Sequence, residues 1–134
     1  MVKTIIIDDS RIISERLSGM LNDIDGVMVA GQASYAREGL AMVNLTKPDF
    51  VILDIRLPDV SGLEIIADIK NIDPEICIAM LTNYPYYSYR KICMEIGADY
   101  FFDKSNEFGK LIEILTNLAR YKKEKVPNVG NTVC

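Results

Sequence analysis

Phe50, Val51, Ile52 and Leu53 form an unbroken apolar run that ends in a carboxylate, Asp54, and is followed by Ile-Arg-Leu-Pro-Asp-Val-Ser-Gly up to Gly62. A strand with one face in water alternates apolar and polar residues. Four apolar residues in succession instead ask for cover on both faces, as in a parallel sheet between layers of helices. The run predicts a central strand. In such sheets ligands and chemistry collect beyond the carboxyl ends of the strands, which is where Asp54 falls. Read alone, Asp54 is equally an ordinary turn opener, because Asp is common where strands give way to loops.

The flanking chain supplies the rest of such a sheet. Lys3 to Ile7 is β-branched and apolar, then turns acidic at Asp8 and Asp9, which reads as a first buried strand. Ile13, Leu17, Met20, Leu21 and Ile24 follow at helical spacing. Asp25-Gly26 closes that helix, residues 27–33 make a second strand, and Ser34 is the expected N-cap of a second helix that stops at Lys47-Pro48. Beyond the central strand, Ser61-Gly62-Leu63-Glu64 fits a capping box opening a third helix with Ile65, Ile66, Ile69 and Ile72. Residues 75–82 read as a fourth strand, Tyr89, Ile92, Cys93 and Ile96 as the apolar face of a fourth helix, and 98–103 as a fifth strand. A fifth helix presents Phe108, Leu111, Ile112, Leu115 and Leu118, with Ser105 or Asn106 as its cap.

Five strands alternating with five helices imply right-handed crossovers and a parallel sheet with helices on both faces. The fold class expected is a flavodoxin-like doubly wound (βα)5 domain with strand order 2-1-3-4-5, covering residues 1–121. Residues 122–134 lose periodicity and gain charge, Pro and Gly, and read as a tail or a linker stub.

Composition removes several kinds of function. The chain carries 49% hydrophobic residues over 134 positions, enough for one proper core. A net charge of -4 disfavours direct binding to nucleic acid, which needs a clustered basic face. No apolar stretch approaches the length of a membrane span and the start has no cleavage-site pattern, so a cytoplasmic location is expected. The three cysteines, Cys77, Cys93 and Cys134, are widely spaced and odd in number, and no disulfide framework is expected. There is no histidine, which excludes imidazole acid-base catalysis and His-activated nucleophiles.

The polar residues that remain stand at predicted strand ends: Asp8 and Asp9 after the first, Asp54 after the third, Thr82 after the fourth, Lys104 after the fifth. A parallel sheet brings all of these to one edge. Three carboxylates gathered there repel one another unless a cation neutralises them, and a hard divalent ion such as magnesium, which favours oxygen ligands, suits the purpose. Lys104 and Thr82 would then bind two further oxygens of a phosphoryl group, with Asp54 as the nucleophile that becomes an acyl phosphate.

At this point the chain resembles the receiver domain of two-component response regulators, over essentially Lys3 to Arg120. The pieces that carry the resemblance are Ile-Ile-Ile-Asp8-Asp9-Ser10, Leu53-Asp54-Ile-Arg-Leu-Pro58-Asp-Val-Ser-Gly62, Met80-Leu81-Thr82 and Gly97-Ala98-Asp99-Tyr100-Phe101-Phe102-Asp103-Lys104. The resemblance implies that Asp54 accepts a phosphoryl group from a histidine kinase or phosphotransfer protein, in a reaction dependent on Mg2+, for which Mn2+ could substitute. Asp9 and Asp54 would bind the ion directly, Asp8 largely through water, and the backbone carbonyl of Arg56 would be a further ligand. Lys104 would pair with Asp54 and then with the phosphate, and Thr82 would hydrogen-bond it. Thr82 and Phe101 would form a switch: the hydroxyl moves to the phosphate, the ring turns inward, and the face of helix four, strand five and helix five changes shape. That face would control a downstream effector domain or protein, or a phosphorylation-dependent homodimer. Such a chain is a switch protein that catalyses only its own phosphoryl transfer and dephosphorylation.

Three positions, Ser105, Arg56 and Tyr84, depart from the family pattern. Ser105 stands after Lys104 where the family usually has Pro, and a cis bond without proline costs about 2.5–4 kcal/mol. Arg56 and Tyr84 flank the approach to the phosphoryl group and could hinder the attacking water, which predicts a long-lived phosphoryl state. Tyr84, Pro85, Tyr86, Tyr87 and Tyr89 crowd the start of helix four, where Tyr86 and Tyr87 are candidate partner anchors, or simply surface tyrosines. Among other functions, an aspartate-nucleophile phosphatase would want a carboxylate where Arg56 stands. A flavin site would want a phosphate-cradling loop where Asp8 and Asp9 stand. A receiver-like interaction domain that works without phosphate is the remaining alternative.

Overall fold

The computed structural model describes residues 1–124 and residue 134. Its elements run β1 (Val2–Ile7), α1 (Arg11–Asn22), β2 (Val27–Ala33), α2 (Ala36–Thr46), β3 (Phe50–Leu53), α3 (Leu63–Ile72), β4 (Cys77–Thr82), α4 (Tyr87–Ile96), β5 (Tyr100–Asp103) and α5 (Phe108–Glu124). The strands pair in parallel in the order β2-β1-β3-β4-β5, the doubly wound arrangement expected.

The apolar run of β3 shows why the sheet needs two helix layers. Val51 and Leu53 belong to one buried cluster, with Ile65, Ile66 and Ile69 of α3 and Val43 of α2. Phe50 and Ile52 belong to the other, with Leu17 and Leu21 of α1 and Leu111 and Leu115 of α5. Neighbouring residues of a strand point to opposite faces, so each layer receives every second side chain and none of the four meets water. Fully burying a side chain of this kind contributes about 1.5–3 kcal/mol.

α2 is seated closely on β1. A Cβ on Gly39 would stand 2.5 Å from the Ile7 Cδ1 atom, so only glycine admits this approach. At its far end α2 closes on Lys47 in a left-handed conformation (φ 48°), directly before Pro48, the stop that the sequence suggests.

Several local expectations need correction. Ser34 does not cap α2: the capping position is Tyr35, whose side chain makes no cap hydrogen bond, and the first turn is satisfied from outside the helix. Neither Ser105 nor Asn106 opens α5; instead Asp103 N–H donates to Glu107 Oε1 at 2.8 Å and Ser105 N–H donates to Asp103 Oδ1 at 2.9 Å. These two carboxylates shape the turn where the family usually has Pro, and the described residues contain no cis peptide bond. α4 is less buried than its periodicity suggests. Cys93 is its one buried residue, while Ile92 and Ile96 are 43% and 38% exposed. Cys134 is brought against Cys77, with Cα atoms 5.8 Å apart, a proximity that their spacing does not suggest. Separation along the chain sets no limit on proximity in space, and Cys77 at the start of β4 is met by residue 134. α5 continues to Glu124, and the remainder of the expected tail, 125–133, lies outside the described residues. Among the described residues no helix is long and apolar enough to cross a membrane.

Candidate functional site

Sheet register fixes the site. Ile7 pairs with Leu53, Leu53 with Met80, and Thr82 with Asp103. The residues that end or follow those strands, Asp8, Asp54, Thr82 and Lys104, therefore share one edge. Backbone bonds carry the register one step further: Asp54 N–H donates to the Ile7 carbonyl at 3.0 Å and Lys104 N–H to the Thr82 carbonyl at 2.9 Å.

Lys104 stands at the centre. Its ammonium lies 2.6 Å from Asp8 Oδ2 and 2.9 Å from Asp54 Oδ2, and all three side chains are almost wholly buried. Burial works against the lysine's charge, but the hydrogen bonds and charges of Asp8 and Asp54 prevail and its pKa is raised. The Asp54 carboxyl is also pushed up, chiefly by burial, with Lys104 pulling the other way and Asp8 adding to the rise. Removing one partner of such a buried group leaves uncompensated charge, which costs about 3–5 kcal/mol.

The remaining carboxylate oxygens are positioned by backbone donors. Asp54 Oδ1 accepts from Ile55 N–H at 2.8 Å and Asp8 Oδ1 from Ser10 N–H at 2.8 Å. Ser10 also caps α1, its hydroxyl accepting from Ile13 N–H at 3.3 Å. Asp9 is exposed at the mouth. Asp8, Asp9 and Asp54 each present a carboxylate oxygen, all within 4.8 Å of one another. This donor set, hard oxygens with one member open to solvent, fits a magnesium-like ion, and two of its three carboxylates are already drawn in by a cation.

The other expected site residues lie around this core. Thr82 is fully buried and its hydroxyl accepts from Tyr84 N–H at 3.0 Å. Phe101 is buried with its ring in the core cluster beneath α4, and Arg90 of α4 reaches its carbonyl at 3.5 Å. Arg56 is exposed, its guanidinium 4.0 Å from the centre of the Tyr84 ring. A hydrogen bond with Tyr89 is the main cause of the raised pKa of Arg56. Tyr84, Tyr86 and Tyr89 form a chain of tilted ring contacts, with centroids 6.4 and 5.9 Å apart, while Tyr87 is 78% exposed.

Three contributors escape sequence reasoning. Lys104 bridges Asp8 as well as Asp54. Gly62 packs on the backbone at Asp54: its N–H donates to the Ile55 carbonyl at 2.7 Å, and a Cβ there would overlap the Asp54 carbonyl oxygen. Asp59 accepts from Ala36 N–H at 2.8 Å and from Arg37 N–H at 3.0 Å, which makes it the missing cap of α2. Lys104 was expected against Asp54 but not Asp8, and Gly62 and Asp59 stood in the motif after Asp54 with nothing local to mark their partners.

The family model described as the response regulator receiver domain matches residues 4–116. A response regulatory protein of Vibrio cholerae is 33% identical over 124 residues, covering 92% of this chain and 51% of its own length. Response regulator GacA of Pseudomonas aeruginosa is 26% identical, covering 97% of this chain and 61% of its own. The chain thus spans about half to three fifths of these curated relatives. Among solved structures, a CheY-like receiver domain from Methanospirillum hungatei superposes with a TM-score of 0.80 at 24% identity, covering 93% of this chain and 98% of its own. A response regulator from Burkholderia pseudomallei, solved with a phosphorylated aspartic acid and a calcium ion, gives 0.77 at 25% identity, covering 94% and 74%. With the matched segment running from within β1 through β5 into α5, the chain belongs to the response regulator receiver domain family.

Proposed function

We propose that the chain is a phosphoacceptor switch in which Asp54 takes a phosphoryl group from a histidine kinase or phosphotransfer protein. The observation that carries this reading is Lys104 bridging two buried carboxylates at the edge where Asp9 stays open. Burying such charges gains nothing for folding over a well-packed apolar cluster, so their retention favours chemistry. The phosphorylated aspartate in the Burkholderia pseudomallei relative supports it.

Asp8, Asp9 and Asp54, with the Arg56 carbonyl, are the groups that would hold Mg2+ or Mn2+. The ion would neutralise charge on the phosphoryl oxygens. The chain's own residues do the rest. Asp54 attacks phosphorus through one carboxylate oxygen, an oxygen–phosphorus bond forms as the bond to the donor's leaving group breaks, and Lys104 exchanges a carboxylate contact for a phosphoryl oxygen. Thr82, released from the Tyr84 N–H, would donate its hydroxyl to another. Phe101 and α4 would repack in response, a local change of charge biasing a two-state element. No step needs a group that turns over on a separate substrate, so the activity is self-directed. The α4-β5-α5 face would then engage an effector domain, an effector protein or a second copy. A cytoplasmic location, a receiver unit over residues 1–121 and a following tail or linker accompany this reading. The same buried cluster disfavours an interaction domain that ignores phosphate.

Intact mass after incubation with a small-molecule phosphodonor tests it. One added phosphoryl group is expected with magnesium and none with chelator or in Asp54→Asn. No added mass in the native chain under any condition would refute it.

A further inference from the structure

The sheet registers Asp8 and Asp54 against each other, but the Arg56 carbonyl lies in the loop beyond β3, outside the strand ladder. Something else must hold that loop in place. Its two ends are tied in different ways. On the near side the Ile55 carbonyl accepts from Gly62 N–H at 2.7 Å and from the Ser61 hydroxyl at 3.3 Å, folding the loop back on the phosphoacceptor. On the far side the Asp59 carboxylate takes the N–H groups of Ala36 and Arg37, each oxygen holding one, at 2.8 and 3.0 Å. Arg56, Leu57 and Pro58 stand between these anchors.

Resting on the magnesium and phosphoacceptor reading above, we propose that Asp59 is a positioning residue that bolts the metal-binding loop to α2 and so sets where the Arg56 carbonyl stands. α2 is a suitable fixed point. Gly39 seats it on Ile7, the residue before Asp8, so the bolt refers the loop carbonyl to the same strand end that bears the two other acidic ligands. Within α2 itself, Glu38 Oε1 accepts from Ser34 N–H at 3.0 Å, ahead of the cap position Tyr35, and leaves the first-turn donors untouched. Asp59 reaches those donors across 23 and 22 residues, tying the loop to the helix as well as capping it. The two backbone bonds hold its carboxyl down at about 2, so the bolt is charged throughout the neutral range.

The test is a Mg2+ titration of the whole chain at neutral pH, followed by backbone amide shifts around Asp54, with urea unfolding in parallel. The variants are Asp59→Ala, Asp59→Asn and Glu38→Ala. Outer partners that orient metal ligands typically change affinity 10–100-fold, so Asp59→Ala should weaken Mg2+ binding about tenfold. Asp59→Asn, which keeps one acceptor oxygen, should fall between, and Glu38→Ala should bind as the native chain does. Native binding with unchanged affinity in Asp59→Ala would overturn the proposal and leave Asp59 a helix cap. Equal weakening by Glu38→Ala would also overturn it, because helix stability would then be the cause. If the alanine variant fails to fold, native-like affinity in Asp59→Asn and its weakening decide the matter in the same way. A native chain that binds no Mg2+ would instead bring down the metal reading on which this rests.

Discussion

The two limbs that flank Asp54 are built differently. The β3-α3 limb is braced at every stage: Gly62 and Ser61 hold the Ile55 carbonyl, Asp59 holds α2, and α3 buries Ile65, Ile66 and Ile69. The β4-α4 limb is held lightly. Its helix buries Cys93 alone, exposes Ile92, Met94 and Ile96, and begins in tyrosines half or more in solvent. Chemistry needs fixed ligands, whereas a switch needs an element whose alternative packing costs little. Under the proposed function, the first task suits α3's side and the second α4's.

The largest test of this contrast is stability. Ile66→Ala should cost about 2–5 kcal/mol by urea unfolding, through lost burial and a cavity. Ile92→Ala, exposed on α4, should stay within about 0.5 kcal/mol. Similar losses at both would erase the contrast. Next comes the lifetime of the phosphoryl group. With Arg56 stacked over Tyr84 beside the site, Arg56→Ala combined with Tyr84→Ala should speed phosphate loss severalfold once the donor is removed. Unchanged or slower loss would show that the pair does not screen water. Smaller again is the effect of Tyr86→Ala with Tyr87→Ala, which should weaken partner binding or self-association in sedimentation without altering phosphate uptake. No change in either would retire these tyrosines as anchors.

The smallest effect concerns pH. Asp59 titrates at about 2 when folded against an ordinary 3.8, so the folded state favours its charged form. Its contribution is present above the ordinary value and is lost as pH falls through that window. The acid limb of the stability curve should therefore be shallower in Asp59→Asn than in the native chain. Parallel limbs would mean that the braced loop owes nothing to this carboxylate.

Much of this was legible in the sequence where a local pattern had one physical solution. Four apolar residues before Asp54 required two covered faces, and strand ends in a parallel sheet must converge, so the neighbourhood of Asp8, Asp54, Thr82 and Lys104 followed. What escaped depended on partners far along the chain. Ser34 looked like a cap because Ser accepts hydrogen bonds well, but a bidentate carboxylate from Asp59 took the role. Ile92 and Ile96 recur at helical spacing, yet spacing defines only a stripe; whether anything covers it depends on how deeply the helix docks. The approach of Cys134 to Cys77 was invisible for a related reason, since the two lie 57 residues apart and nothing local marks one as the neighbour of the other.

Amide hydrogen exchange of the native chain, with and without phosphodonor and magnesium, and with Asp54→Asn as control, tests the division of labour most directly. Donor-dependent changes should appear in α4 and β5 of the native chain, spare residues 55–62 and α3, and vanish in the mutant. Changes spread through the braced limb, or a phosphorylated chain whose α4 and β5 exchange as before, would contradict it.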